Sequence, residues 1–90
     1  FKQVRMDYVK KLENVEKLEV FPSQANYVMC RLTGQMTSRE LAETLLDKYN
    51  ILIKDLSAKT GFDGKSYIRL AVRRPEENQK LIHALKEELR

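Results

Sequence analysis

Ser66-Tyr67-Ile68-Arg69-Leu70-Ala71-Val72-Arg73-Arg74 is the run whose reading decides the fold. Ile68, Leu70 and Val72 alternate with Tyr67, Arg69 and Ala71. That is the period of a strand with one face in a core. The second face sets a fixed positive charge in mid-strand. A guanidinium removed from water without a partner is costly. Solvent or a carboxylate must meet it, and its planar five-donor fork suits a carboxylate best.

Upstream, Ile51-Leu52-Ile53-Lys54-Asp55 is a second strong strand signal. The polar stretch Leu56 to Lys65, with Gly61 and an Asp63-Gly64 turn pair, joins the two runs. They predict an antiparallel hairpin with a long loop, and loops longer than a turn requires often carry function. Downstream, Pro75 suits the first position of a helix. Glu76 and Glu77 fall in its first turn, where the helix dipole favours acids. Leu81, Ile82, Leu85 and Leu89 form its buried stripe. His83 lies off that stripe and reads as a surface residue.

The amino-terminal half supplies the remaining elements. Residues 1–16 read as a helix through Val4, Tyr8, Leu12 and Val15. It has no start signal, and the chain opens on Phe1, so the expectation is a piece cut from a longer protein. Leu18 to Phe21 is a short strand that Pro22 ends or places at a sheet edge, and Ser23-Gln24 make a turn. Asn26 to Leu32 is a strand with Val28, Cys30 and Leu32 on one face and Tyr27, Met29 and Arg31 on the other. After the connector Thr33 to Met36, Thr37-x-x-Glu40 is a capping box. The helix it opens runs to about Tyr49, with Leu41, Leu45, Leu46 and Tyr49 toward the core. Asn50 closes it in a left-handed conformation. The expected fold is α+β: residues 1–90 form one domain with a small, mostly antiparallel sheet of three to four strands and helices packed on one face.

Composition narrows the function classes. No stretch approaches the roughly 20 apolar residues of a membrane span, so no membrane partner is expected. The net charge is +4, but basic residues are mixed with acids in nearly every element, the pattern of a solvated surface. Cys30 is the one cysteine and sits on an apolar face, where it reads as a small core residue; alone it is compatible with a reducing cytoplasm. No His or Cys stands at metal-ligand spacing, no glycine-rich phosphate loop occurs, and no nucleophile–His pattern or acid/base pair can be nominated. No catalytic, cofactor-binding or metal-binding residue is therefore expected within the chain.

The sheet face opposite the core carries Tyr27, Met29 and Arg31 on one strand and Tyr67, Arg69 and Ala71 on another. It is too aromatic for plain solvent surface and too charged for core. Such a face meets a partner or lines a site; the plain reading is that Arg31 and Arg69 are ordinary solvated arginines. Two other classes fit the pattern. One is a free-standing basic ferredoxin-like module reading RNA through Tyr27 and Tyr67, although the Lys65 to Val72 strand lacks the glycine–aromatic pattern of the RNA-binding motif. The other is a protein-interaction or oligomerisation module.

Three blocks resemble a known family. Ser23-Gln24-Ala25-Asn26-Tyr27 is similar to the S-x-A-N-[FY] segment of class I and II pyridoxal-phosphate aminotransferases. Ile51 to Asp55 resembles their I-L-[VI]-R-[DN] strand. Tyr67 to Val72, followed by Glu76-Glu77-Asn78 and a Leu/Ile helix, resembles their arginine strand and E-E-N helix. The blocks follow the family order over nearly the whole chain, and the resemblance is to the histidinol-phosphate aminotransferase and threonine-phosphate decarboxylase group in particular.

The resemblance implies the C-terminal small domain of a larger enzyme, with residues 1–16 as the connecting helix from the large domain. It implies that Arg69 grips the α-carboxylate of an amino acid or 2-oxo acid, with Asn26 near the mouth of the site. It implies pyridoxal 5'-phosphate as cofactor of a full-length, homodimeric, cytoplasmic aminotransferase that has no nucleic-acid partner. Lys54 departs from the family arginine: it keeps the charge and loses the fork. The family's Ser-x-x-Lys segment with the cofactor-binding lysine has no counterpart here. The chain alone is therefore expected to bind no cofactor and to be inactive.

Overall fold

The computed structural model describes residues 2–21, 26–58, 61 and 66–90. Three helices, α1 (Lys2–Glu13), α2 (Ser38–Tyr49) and α3 (Pro75–Glu88), alternate with four strands. The strands are β1 (Leu18–Val20), β2 (Tyr27–Leu32), β3 (Lys54–Asp55) and β4 (Tyr67–Ala71). They form one antiparallel sheet in the order β1-β2-β4-β3. Because β4 lies between β2 and β3, the β2-α2-β3 connection is a split βαβ unit. The fold is α+β, as the sequence reading expects.

The predicted faces are the observed faces. Ile68, Leu70, Val72, Val28, Cys30 and Leu32 are buried, together with Tyr8 and Leu12 of α1, Leu41 and Leu45 of α2, and Leu81, Ile82 and Leu85 of α3. All three helices therefore cover one side of the sheet. Burying a large aliphatic side chain contributes about 1.5–3 kcal/mol, so this single layer supplies most of the driving force.

The local signals also act as predicted. Thr37 accepts a hydrogen bond from the Glu40 amide, and Glu40 accepts one from the Thr37 amide, closing the capping box. Asn50 has φ 56° and ψ 38°, and its amide reaches back to Leu45 and Leu46 carbonyls. Pro75 begins α3, and His83 is exposed.

Several boundaries differ from the sequence reading. Helix α1 ends at Glu13, not residue 16. Lys17, with φ 60°, turns the chain into β1, while Val15 still reaches the core. Leu46, expected in the core, is 48% exposed. The stripe of α2 runs through Ser38, Leu41 and Leu45 with Tyr49 partly buried, and Leu46 lies one residue around the helix from it. Of the expected strand Ile51 to Asp55, only Lys54–Asp55 joins the ladder. Ile51 and Ile53 still pack on the core while Leu52 is 79% exposed. Alternation there reports two faces, not strand pairing. The strand predicted over Ser66 to Arg74 is paired over Tyr67–Ala71. The Phe1 helix start, the Pro22 strand end, the Ser23-Gln24 turn and the Asp63-Gly64 turn lie outside the described residues.

Candidate functional site

The open face of the sheet separates its two arginines. In the β1–β2 ladder Glu19 stands opposite Arg31, and Arg31 Nε donates to Glu19 Oε1 at 2.8 Å. An exposed pair of this kind adds little stability, but it neutralises Arg31. Arg69 is opposite Met29 on one side and Lys54 on the other. Among the described residues no carboxylate forms an ion pair with it. It is exposed, and its guanidinium carbon lies over the Tyr27 ring, 5.3 Å from the centroid.

An open concavity of about 760 Å³ brings Arg69 together with Asn26, Tyr27, Lys54 and Ala71. Leu52 and Ile53 form its other wall, because the chain leaves β4 beyond Lys54. Asn26 is placed by its own backbone: its carbonyl accepts the Val72 amide at 2.8 Å, which ties the start of β2 to the end of β4. The two residues singled out in the sequence thus share one depression.

The carboxylate that also borders the concavity, Asp55, is occupied. Its Oδ1 accepts from Ser38 Oγ at 2.6 Å and the Ser57 amide at 2.9 Å, and its Oδ2 from Ser57 Oγ at 3.0 Å. Partial burial alone would raise the carboxyl, but these bonds stabilise the anion more and hold it below the ordinary aspartate range. Asp55 therefore stays charged, fixes β3 to the start of α2, and forms no ion pair with Arg69. A second concavity of about 420 Å³ shares Leu52, Ile53 and Ala71 with the first. The arginine there, Arg73, has Glu77 at 3.9 Å.

Asn78 is a residue whose role the sequence did not reveal. It is 7% exposed in α3. Its Oδ1 accepts the Arg73 amide at 2.9 Å and its Nδ2 donates to the Arg73 carbonyl at 2.9 Å. Both polar groups of the residue leaving β4 are thereby satisfied. The only signal for it was its place in the E-E-N block.

Chemically, the concavity can bind a planar anion and orient it. Among the described residues that line it, Asp55 is engaged by the Ser38 and Ser57 hydroxyls and so is not free to pair with the ring nitrogen of pyridoxal phosphate. Among the described residues no group of three or more His, Cys, Asp or Glu side chains could hold a metal ion.

The fold is a helix-backed antiparallel sheet whose open face carries an exposed arginine without an ion-pair partner among the described residues. Comparison with known proteins makes the class specific. Residues 1–85 match the family described as aminotransferase class I and II, and the chain belongs to that family. It is 32% identical over 93 residues to the L-serine phosphate decarboxylase of Sulfurospirillum multivorans, covering 96% of this chain and 24% of that protein. It is 34% identical over 76 residues to the histidinol-phosphate aminotransferase of Methanococcus aeolicus, covering 84% of this chain and 20% of that protein. The crystal structure of L-threonine-O-3-phosphate decarboxylase from Porphyromonas gingivalis superposes with a TM-score of 0.87 at 35% identity, covering 96% of this chain and 26% of that one. The chain thus spans about a quarter of each of these relatives' length, or less. Among the described residues no helix is long and apolar enough to cross a membrane.

Proposed function

We propose that residues 1–90 are the C-terminal small domain of a pyridoxal-phosphate-dependent enzyme, with residues 1–16 as the connection from its large domain. In this reading Arg69 binds the substrate carboxylate through its fork, and Asn26 stands at the mouth of the site. The full-length protein, a cytoplasmic homodimer, transfers an amino group between an amino acid and a 2-oxo acid. The observation that carries the reading is the contrast on one sheet face: Arg31 is neutralised by Glu19, while Arg69 meets a ring and no described acid.

Pyridoxal phosphate, held by residues outside this chain, supplies the electron sink for the reaction when bound. The chain's own contribution is geometric. A carboxylate held at two oxygens cannot rotate freely, so the bonds at its α-carbon are fixed relative to the cofactor. Apposition of this domain on the rest of the enzyme excludes water and strengthens that ion pair. Decarboxylation is a second reading, supported by identities of 32% and 35% to two decarboxylases against 34% to the aminotransferase. The two reactions break different bonds at the α-carbon, so each requires the acid to be held in a different orientation.

The test is Arg69→Ala in the intact enzyme. A charge-assisted hydrogen bond contributes about 1.5–3 kcal/mol, so kcat/KM should fall by at least about 100-fold for the bidentate pair. The cofactor's absorbance should be unchanged. Unaltered kcat/KM sinks the assignment. Release of CO2 against formation of a 2-oxo acid separates the two reactions.

A further inference from the structure

Arg69 has a neighbour to which the carboxylate-binding reading gives no task. Tyr27 pairs with Ala71, and Met29 with Arg69. Tyr27 is therefore a diagonal cross-strand neighbour of Arg69 on the open face, within reach of a long side chain. The other diagonal neighbour on β2 is Arg31, drawn toward β1 by Glu19 at 2.8 Å. On the far side Lys54 stands opposite Arg69. Arg69 thus lies between two cationic side chains and one aromatic ring. Like charges repel across strands, whereas the electron-rich face of a ring attracts a guanidinium.

The observed position follows from that balance. The guanidinium carbon lies over the Tyr27 ring at 5.3 Å, and Tyr27 is itself 42% exposed beside the concavity. A ring contact uses the face of the guanidinium and leaves the N–H donors along its edge for a planar acceptor. It also holds a side chain that would otherwise sample many rotamers, so less order must be imposed when the acid arrives.

We propose that Tyr27 is a positioning residue whose ring pre-orients the Arg69 guanidinium for the substrate carboxylate. This deepens the proposed function and rests on it. The ring does the positioning and the hydroxyl is dispensable, so aromatic replacements preserve the effect.

The experiment uses the intact, cofactor-loaded enzyme with L-serine O-phosphate and L-glutamate as probes. KM and kcat are read separately, and probe binding is read from the cofactor absorbance. Tyr27→Leu should raise KM about tenfold and leave kcat within about twofold, the scale of a partly desolvated cation–π contact. Tyr27→Phe should restore KM to within about twofold of wild type. Tyr27→Ile, a strand-favouring residue, should repeat the loss and guards against a folding defect in the leucine variant. If the ring-less variants keep wild-type KM while Arg69→Ala loses saturation, the role of Tyr27 is overturned and that of Arg69 stands. If Tyr27→Phe loses affinity as much as Tyr27→Leu, the ring is not the positioning group. If Arg69→Ala saturates normally, the functional reading fails and this inference with it.

Discussion

Asn78→Ala gives the sharpest test of how the site is held. The wild-type side chain makes two hydrogen bonds of 2.9 Å, one to each backbone polar group of Arg73, and is 7% exposed. Truncation removes both bonds and leaves an amide and a carbonyl without those partners. A typical net hydrogen bond contributes about 1 kcal/mol, and a stranded buried polar group costs about 1–3 kcal/mol. Allowing for partial hydration of Arg73, which is exposed at its side chain, we expect a loss of about 3 kcal/mol. For a domain of this size each kcal/mol lowers the melting temperature by about 4–8 °C, so the midpoint should fall by roughly 12–24 °C. Calorimetry or urea denaturation of the chain measures it, with Gln79→Ala as a control at an exposed neighbour. The loss should be accompanied by weaker substrate binding in the intact enzyme, because Asn78 fixes the end of the strand that carries Arg69. A change below about 0.5 kcal/mol, the range of ordinary surface substitutions, would refute the reasoning.

Three further outcomes follow from buried or partly buried groups. Tyr8 is 2% exposed and its hydroxyl has no described partner; burial, foremost, raises its ionisation far above the ordinary phenol range. Tyr8→Phe should therefore be neutral or stabilise by up to about 1 kcal/mol, and clear destabilisation in urea would show a bond that the geometry lacks. Burial pushes the Cys30 thiol up to about 12, so a disulfide reagent at pH 8 should label it only on unfolding; rapid labelling of folded protein would contradict the packing. Asp55 has a depressed folded pKa, so its contribution to stability is present above its unfolded value of 3.8 and is lost as pH falls through the folded one. Wild type should lose stability over that acid window, and Asp55→Asn should be weaker at pH 7 with a flatter acid limb. Parallel acid limbs in urea titrations would show that the three hydrogen bonds do not favour the anion.

The face assignments were legible because they depend only on period. Ile68, Leu70 and Val72 had to share a side, and the helices had to cover it. The capping box and Asn50 were legible for a local reason, since a cap is decided by a few consecutive residues. What failed involved contacts between segments. Nothing in Ile51-Leu52-Ile53 shows that β4 will pair only from Lys54 onward. Leu46 differs from Leu45 by one step around α2, and only the position of the sheet decides which is covered. By strand period alone the two arginines look equivalent, and in the structure Glu19, twelve residues from Arg31, is what distinguishes them.

Under the proposed function, that distinction also explains why a strand suits a carboxylate-binding arginine. An arginine on a loop would bring its own flexibility to each encounter, whereas Arg69 is carried by a backbone paired on both sides, with β2 and β3. Among the described residues the two acids on the neighbouring strands are engaged elsewhere: Glu19 by Arg31, and Asp55 by two serines. Lys54 opposite contributes a second positive charge, which disfavours an internal partner for neither cation but raises the attraction for an incoming anion. The receptive state of the site is therefore a property of cross-strand register. A one-residue slip of β2 against β4 would move Tyr27, Met29 and Arg31 to the core side and remove the ring from Arg69. The buried face of Val28, Cys30 and Leu32 opposes that slip energetically, so the same apolar alternation that folds the domain also keeps the guanidinium beside its ring.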